Sequence, residues 1–225
     1  MEYGFYSDKG LPESSHGYRC PSWDPMPDGK KNVVVLGCSH TWGVGLEDDE
    51  HWVHFLSQHN TKRLRYWNLG QPGASADKIV RILYGSEKII DPKIVIVCWP
   101  VWSRRELLEF EAESLTGDHP ELARQSDEMD RQNFLKNLFW VEKYAEKNHA
   151  KAFHCFAETP YVIQAPGLNV LEKHSIANCW PYWHATKNRE ETSAPSLAKD
   201  GKHYGVEHHK RFTELFLERF GPKLN

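Results

Sequence analysis

Asn32-Val33-Val34-Val35-Leu36-Gly37-Cys38-Ser39-His40-Thr41-Trp42-Gly43 is the stretch that decides the fold. Val33 to Leu36 is a short, wholly apolar run rich in β-branched residues, and it reads as a buried strand. Gly37 and Gly43 flank a sharp turn that carries one serine, Ser39. In an open α/β sheet, reactive groups gather beyond the carboxyl ends of the strands. Ser39 therefore stands where a nucleophile belongs, and the rest of the chain is searched for its partners.

Working outward, Leu64 to Leu69 reads as a second strand, ended by Gly70-Gln71-Pro72-Gly73. Ser75 is a helix N-cap, and Ile79, Val80, Ile82 and Leu83 recur at helical spacing. Lys93 to Trp99 is a third strand, apolar without alternation, as a central parallel strand requires. Residues 128–148 form a long helix with Phe134, Leu138, Val141 and Ala145 as one stripe. Lys151 to Phe156 is a fourth strand, and Val170, Leu171 and Ile176 mark a short element in a loop-rich stretch. The last helix spans about 206–220, with Phe212, Phe216 and Phe220 on one face and Gly221-Pro222 as its stop. Asp48, Asp49 and Glu50 suit a helix N-terminus. Residues 100–127 read as loop with short helical pieces. Strands alternating with helices give an α/β fold, a three-layer α/β/α sandwich on a parallel sheet of about five strands. Residues 1–30 are an irregular arm expected to pack on the domain (31–225) through Tyr3, Phe5, Tyr6 and Trp23.

Composition narrows the function. The chain has 225 residues, 26% of them charged, with a formal net charge of -3, so no strong field favours nucleic acid or an anionic membrane. No apolar run is long enough for a transmembrane helix. The start, Met1-Glu2-Tyr3-Gly4-Phe5, lacks a basic region and an apolar core, so no signal peptide and a cytoplasmic location are expected. The five cysteines are odd in number and share no Cys-x-x-Cys spacing, which favours buried, reduced thiols. His203, His208 and His209 do not complete a metal-ligand pattern, and neither metal nor cofactor is expected.

A serine nucleophile needs a base, and the base needs an orienting acid. Asp200-Gly201-Lys202-His203 precedes the last helix, and in one loop that spacing lets Asp200 accept from His203 Nδ1 and leave Nε2 for Ser39. With these residues the chain resembles the SGNH (GDSL-like) hydrolases. The resemblance rests on three blocks in order: Gly37-Cys38-Ser39-His40-Thr41-Trp42-Gly43, Asn68-Leu69-Gly70-Gln71-Pro72-Gly73, and Asp200-x-x-His203. It covers about residues 31–220. It implies a flavodoxin-like topology, Ser39, Asp200 and His203 as the catalytic set, and the backbone N–H groups of Ser39 and Gly73 as oxyanion donors.

Two departures stand out. Cys38 occupies the place of the family's aspartate. The segment after the third strand, Cys98-Trp99-Pro100-Val101-Trp102-Ser103-Arg104-Arg105-Glu106, lacks the family's oxyanion asparagine, and Ser103 or Arg104 stands in its neighbourhood. That segment is similar to a variant seen in tailed-phage and environmental sequences. The expected activity is ester hydrolysis through an acyl-enzyme, on a small-molecule or carbohydrate ester such as an O-acetyl group. His40, Trp42, Trp99, Trp102 and Arg104 are the candidate substrate contacts, with Trp180 and Trp183 as further aromatics near the cleft. The alternative is a non-catalytic SGNH-like binding or structural module, for instance a virion component.

Overall fold

The computed structural model describes residues 17–20, 28–107, 113–115, 126–156, 175–176 and 197–224. In chain order the elements are β1 (Lys31–Gly37), α1 (Ser39–Trp42), α2 (Trp52–Ser57), β2 (Leu64–Asn68), α3 (Ala76–Ile90) and β3 (Pro92–Trp99). Then come β4 (Arg105–Leu107), β5 (Glu113–Leu115), α4 (Asp127–Lys147), β6 (Lys151–Phe156), β7 (Ser175–Ile176) and α5 (Val206–Phe220), closed by a 3-10 turn, Gly221–Leu224.

The main sheet has five strands in the order β2-β1-β3-β6-β7, and every pairing in it is parallel. Parallel strands need crossovers, and these place helices on both faces. Successive side chains of one strand therefore enter different cores. Val34, Leu36, Trp67, Val95, Val97 and Trp99 face α3 and α4, where they meet Ile79, Leu83, Phe134, Leu138 and Val141. Val33, Val35, Ile94, Ile96, Phe153 and Cys155 face α2 and α5, against Trp52, Leu56, Phe212, Phe216 and Phe220. The β-branched runs lack polar alternation because both faces of the sheet are covered. Fully burying one such Phe or Leu contributes about 1.5–3 kcal/mol.

The strand order also locates a site. β1 pairs with β2 on one side and β3 on the other, so the chain reverses its direction of travel across the sheet at β1. Loops leaving β1 and β3 diverge there and open a crevice at the carboxyl end of the sheet. Ser39 begins the first turn after β1.

Two clamps hold that turn to β2. Asn68, buried at the end of β2, donates from Nδ2 to the Thr41 carbonyl at 2.9 Å and accepts the Gly70 N–H at 3.0 Å. Gly70 lies so close to α1 that a Cβ there would stand 2.6 Å from the Trp42 nitrogen and 2.8 Å from Thr41 Cβ. The obstacle is largely backbone and cannot rotate away.

Some expectations are corrected. Asp48, Asp49 and Glu50 do not start a helix: the N-cap of α2 is His51, which accepts the His54 N–H on Nδ1 at 3.2 Å. Asp48 instead pairs with Arg19. Residues 105–107 and 113–115 are antiparallel strands rather than loop or helical pieces. β4 is pinned to two helices, Arg105 to Asp130 on α4 at 2.8 Å and Glu106 to Arg81 on α3 at 2.6 Å. The arm aromatics Tyr3, Phe5, Tyr6 and Trp23 lie outside the described residues, as do Val170, Leu171, Trp180 and Trp183.

Gly70→Ala is expected to lower stability by about 1–3 kcal/mol, the usual cost of overpacking a tight contact. Thermal unfolding followed by circular dichroism checks this. An unchanged melting temperature would mean that the β2 turn and the serine turn are not in fixed contact.

Candidate active site

Ser39 is the first residue of α1, and the helix is closed by Gly43, whose N–H donates back to the Ser39 carbonyl at 2.9 Å. N–H groups in the first turn of a helix have no partner within it, so the Ser39 N–H is available to an incoming oxygen. Gly73 lies beyond β2 at φ +75, and a Cβ there would meet nothing within 4 Å. The second block thus ends in an open glycine.

The far end of the domain supplies the other half. Asp200 Oδ1 accepts the N–H groups of Lys202 and His203, each at 3.0 Å, and Oδ2 accepts from His203 Nδ1 at 2.5 Å. The carboxylate therefore fixes both the loop and the ring. It places the neutral imidazole proton on Nδ1 and leaves Nε2 as the basic nitrogen. Burial pushes the Asp200 carboxyl up, but the His203 N–H, the His203 ring and the Lys202 N–H outweigh it and hold it at about 2.

This loop is docked on the turn that follows Ser39. Lys199 N–H donates to the Gly45 carbonyl at 3.0 Å, and the Lys199 side chain pairs with Glu47. Gly45 must be glycine: its φ is +76, and a Cβ would stand 2.9 Å from Ala198 Cβ and 3.3 Å from Asp200 Cγ. Ala198 N–H donates to the His203 carbonyl at 2.9 Å, and Leu197 bridges to Tyr204. As a result the His203 ring sits edge-on to His40, the residue after Ser39, with ring centroids 5.3 Å apart. His40 also stacks on Tyr204 at 4.8 Å. Burial first, then the neighbouring His203 and Arg104, pushes His40 down to about 3, so it stays neutral beside the serine.

Several expected substrate contacts are elsewhere. Trp42 and Trp99 are core residues, 8% and 2% exposed, not walls of a cleft. The Trp99 indole donates to His154 Nδ1 at 2.9 Å, and His154 Nε2 in turn bonds Glu142 at 2.6 Å. A polar handle satisfied inside the sheet explains why an aromatic residue at a strand end faces inward. Trp102 packs partly buried against the same core. Arg104 does reach the site region: its Nη1 donates to the Ala74 carbonyl, next to Gly73, at 3.3 Å. Cys38 is buried, and burial pushes its thiol up, so it is no rival nucleophile to Ser39.

Sequence reasoning missed Arg19. It is 7% exposed, and its guanidinium binds Asp48 Oδ1 at 2.6 Å and the carbonyls of Trp42, Gly43 and Leu46 at 3.1, 2.8 and 2.7 Å. One side chain of the arm thus closes the carboxyl end of α1 and the turn that receives the Asp200 loop. No periodicity in the arm points to it. His209 was read only as a weak metal candidate; its Nδ1 accepts the Trp52 N–H at 3.1 Å, which joins α5 to α2.

No protein-family model matches the chain, and no curated protein matches it in sequence. Solved structures do match in fold. The psychrotrophic esterase EstA from Pseudoalteromonas sp., determined inhibited by monoethylphosphonate, superposes with a TM-score of 0.56 at 13% identity, over 87% of this chain and 100% of its own. TesA gives a TM-score of 0.52 at 15% identity, over 85% and 99%. The acetyl xylan esterase AlAXEase gives 0.50 at 14% identity, over 83% and 98%. The chain therefore has the three-layer α/β/α fold of the SGNH (GDSL-like) hydrolases. No helix among the described residues is long and apolar enough to cross a membrane.

The buried histidines set a pH dependence. Burial pushes His40 and His51 down to about 3 each, and His209 well below the ordinary 6.5. All three are neutral when folded and bind protons when unfolded, so stability is complete above about pH 6.5 and falls as pH drops toward 3. His40 and His51 each contribute a slope of up to about 1.4 kcal/mol per pH unit inside that window, and His209 acts in the same direction. Asp200 adds a further loss only between its ordinary 3.8 and about 2. Melting curves from pH 7.5 to 4 are expected to show a steadily falling midpoint; a flat profile would contradict the buried neutral assignments.

Proposed function

We propose that this protein is a serine esterase that works through an acyl-enzyme, with Ser39 as nucleophile, His203 as general base and acid, and Asp200 as the group that holds the imidazole. The observation that carries this reading is the Asp200–His203 pair, 2.5 Å apart and docked through Gly45 onto the turn that follows Ser39. The esterases that share the fold support the reaction class.

Ser39 Oγ attacks the ester carbonyl carbon, and its proton passes to His203 Nε2. The Oγ–C bond forms as the carbonyl π pair moves onto oxygen, where the N–H groups of Ser39 and Gly73 receive it. Collapse of the intermediate breaks the C–O bond of the ester, and His203 returns the proton to the departing alkoxide. Water then repeats the sequence: it gives a proton to His203 as it attacks the acyl carbon, the bond from that carbon to Ser39 Oγ breaks, and His203 returns the proton to Oγ as the acid leaves. Asp200 stays ionised throughout, since an imidazolium beside it is stabilised by the charge pair.

For the substrate, we infer a small acyl group, with O-acetyl carbohydrate as the preferred form. The carbohydrate half of this reading rests on the likeness to an acetyl xylan esterase. Trp42 and Trp99 are buried and add nothing to it.

Wild-type protein is expected to hydrolyse p-nitrophenyl acetate and to release acetate from acetylated xylo-oligosaccharides. Ser39→Ala and His203→Ala are each expected to lower kcat by about 10⁴-fold or more while leaving the fold intact. Turnover that survives Ser39→Ala, or its absence in wild type, would favour the non-catalytic module instead.

A further inference from the structure

The loop leaving β3 forms the other lip of the crevice that β1 opens. It turns at once: Arg104 N–H donates to the Val101 carbonyl at 3.2 Å. The next two residues are fixed to separate helices. Arg105 binds Asp130 Oδ1 at 2.8 Å and the Met129 carbonyl at 2.6 Å on α4, and Glu106 takes Arg81 from α3 on both oxygens, at 2.6 and 3.3 Å. Arg104 is therefore held by its own backbone, not left to wander at a loop tip.

Its side chain reaches the loop that follows β2. Nη1 meets the Ala74 carbonyl, one residue past Gly73, at 3.3 Å. Nε is shielded from solvent and has no hydrogen-bond partner. Arg105 and Arg81 each have a carboxylate, but among the described residues Arg104 makes no ion pair. The guanidinium acts electrostatically on both neighbours of Ser39: it offsets part of the rise that burial gives the Cys38 thiol and adds to the drop that burial gives His40.

A guanidinium stays charged at any working pH, and one held half-buried beside the reacting group favours any negative charge that develops next to it. Such a charge is stabilised when an anion arrives. Attack by Ser39 creates one, the tetrahedral oxyanion, beside the Gly73–Ala74 loop that Arg104 already grips. We propose that Arg104 is the charged member of the oxyanion hole and completes the pair of N–H donors from Ser39 and Gly73. This rests on the Ser39 reading above. As the Oγ–C bond forms and the π pair moves to the carbonyl oxygen, the guanidinium neutralises the charge that develops there. A pocket for a carboxylate on the substrate is the competing use of the same cation. The hydrogen bond to Ala74 argues against it, because it ties the guanidinium to the loop that flanks the reacting carbonyl.

The test compares wild type, Ser39→Ala, Arg104→Lys, Arg104→Gln and Arg104→Ala on two esters, p-nitrophenyl acetate and p-nitrophenyl hemisuccinate, with circular dichroism on each variant. Arg104→Gln and Arg104→Ala are expected to lose about 10²–10³ in kcat on both esters, with KM within about threefold of wild type. Arg104→Lys, which keeps the charge and loses the fork, is expected to lie between. Millimolar guanidinium chloride is expected to restore part of the activity of Arg104→Ala and none of Ser39→Ala. If Arg104→Ala does not fold, Arg104→Gln and Arg104→Lys decide the matter. A KM increase confined to the hemisuccinate ester, or kcat within about threefold of wild type in Arg104→Gln, would overturn the assignment while Ser39 stands. Wild-type turnover that is unaffected by Ser39→Ala would overturn the Ser39 reading and this assignment together.

Discussion

Two turns from opposite ends of the domain meet at Gly45, and the candidate site depends on that contact. Lys199 N–H donates to the Gly45 carbonyl, and the missing side chain at Gly45 lets Asp200 and Ala198 come close. Asp200 then spends one oxygen on its own loop and the other on His203. The imidazole is thereby placed next to His40 without any covalent or sequential tie to Ser39. A Cβ at Gly45 would push the loop outward and carry the ring with it. Arg19 secures the same contact from beneath, since it binds three carbonyls of the receiving turn and Asp48.

The sheet explains why this meeting takes place where it does. β1 lies between β2 and β3, so the loops after β1 and β3 separate and leave a crevice at their carboxyl ends. Ser39 follows β1, Arg104 follows β3 and bonds the Ala74 carbonyl, and Gly73 lies in the turn after β2. Each lip is braced by buried or paired polar groups: Asn68 beneath α1, and the Arg105–Asp130 and Arg81–Glu106 pairs behind Arg104. Preorganised donors of this kind need little rearrangement as charge develops, which is the main way a protein lowers such a barrier.

The parallel sheet was legible because its strands are buried on both faces, which leaves long β-branched runs such as Val33–Val35 and Ile94–Val97 that no surface element shows. The N-cap Ser75, the stripe on α4 and the span of α5 were legible for the same local reasons. The strands at 105–107 and 113–115 were not: ion pairs from Arg105 and Glu106 to two helices hold the first, the second pairs with it, and charged residues give no strand pattern. Trp42 and Trp99 were misplaced since a period says nothing of which side of a strand end faces solvent; Trp99 turns inward because His154 accepts its N–H. His51 and Asp48 exchanged roles for a comparable reason: Arg19, remote in sequence, claims Asp48 and leaves the cap to an imidazole.

The central claim, that Ser39 is activated by His203, is tested most directly by covalent trapping. A fluorophosphonate, which loses fluoride as Ser39 Oγ bonds to phosphorus, is incubated with wild-type protein and with His203→Ala, and the adduct is mapped by peptide mass spectrometry. The account predicts one phosphonyl group on Ser39 in the wild type and slow or no labelling without His203. A stoichiometric adduct on another residue, or labelling of Ser39 at the same rate in both proteins, would contradict it.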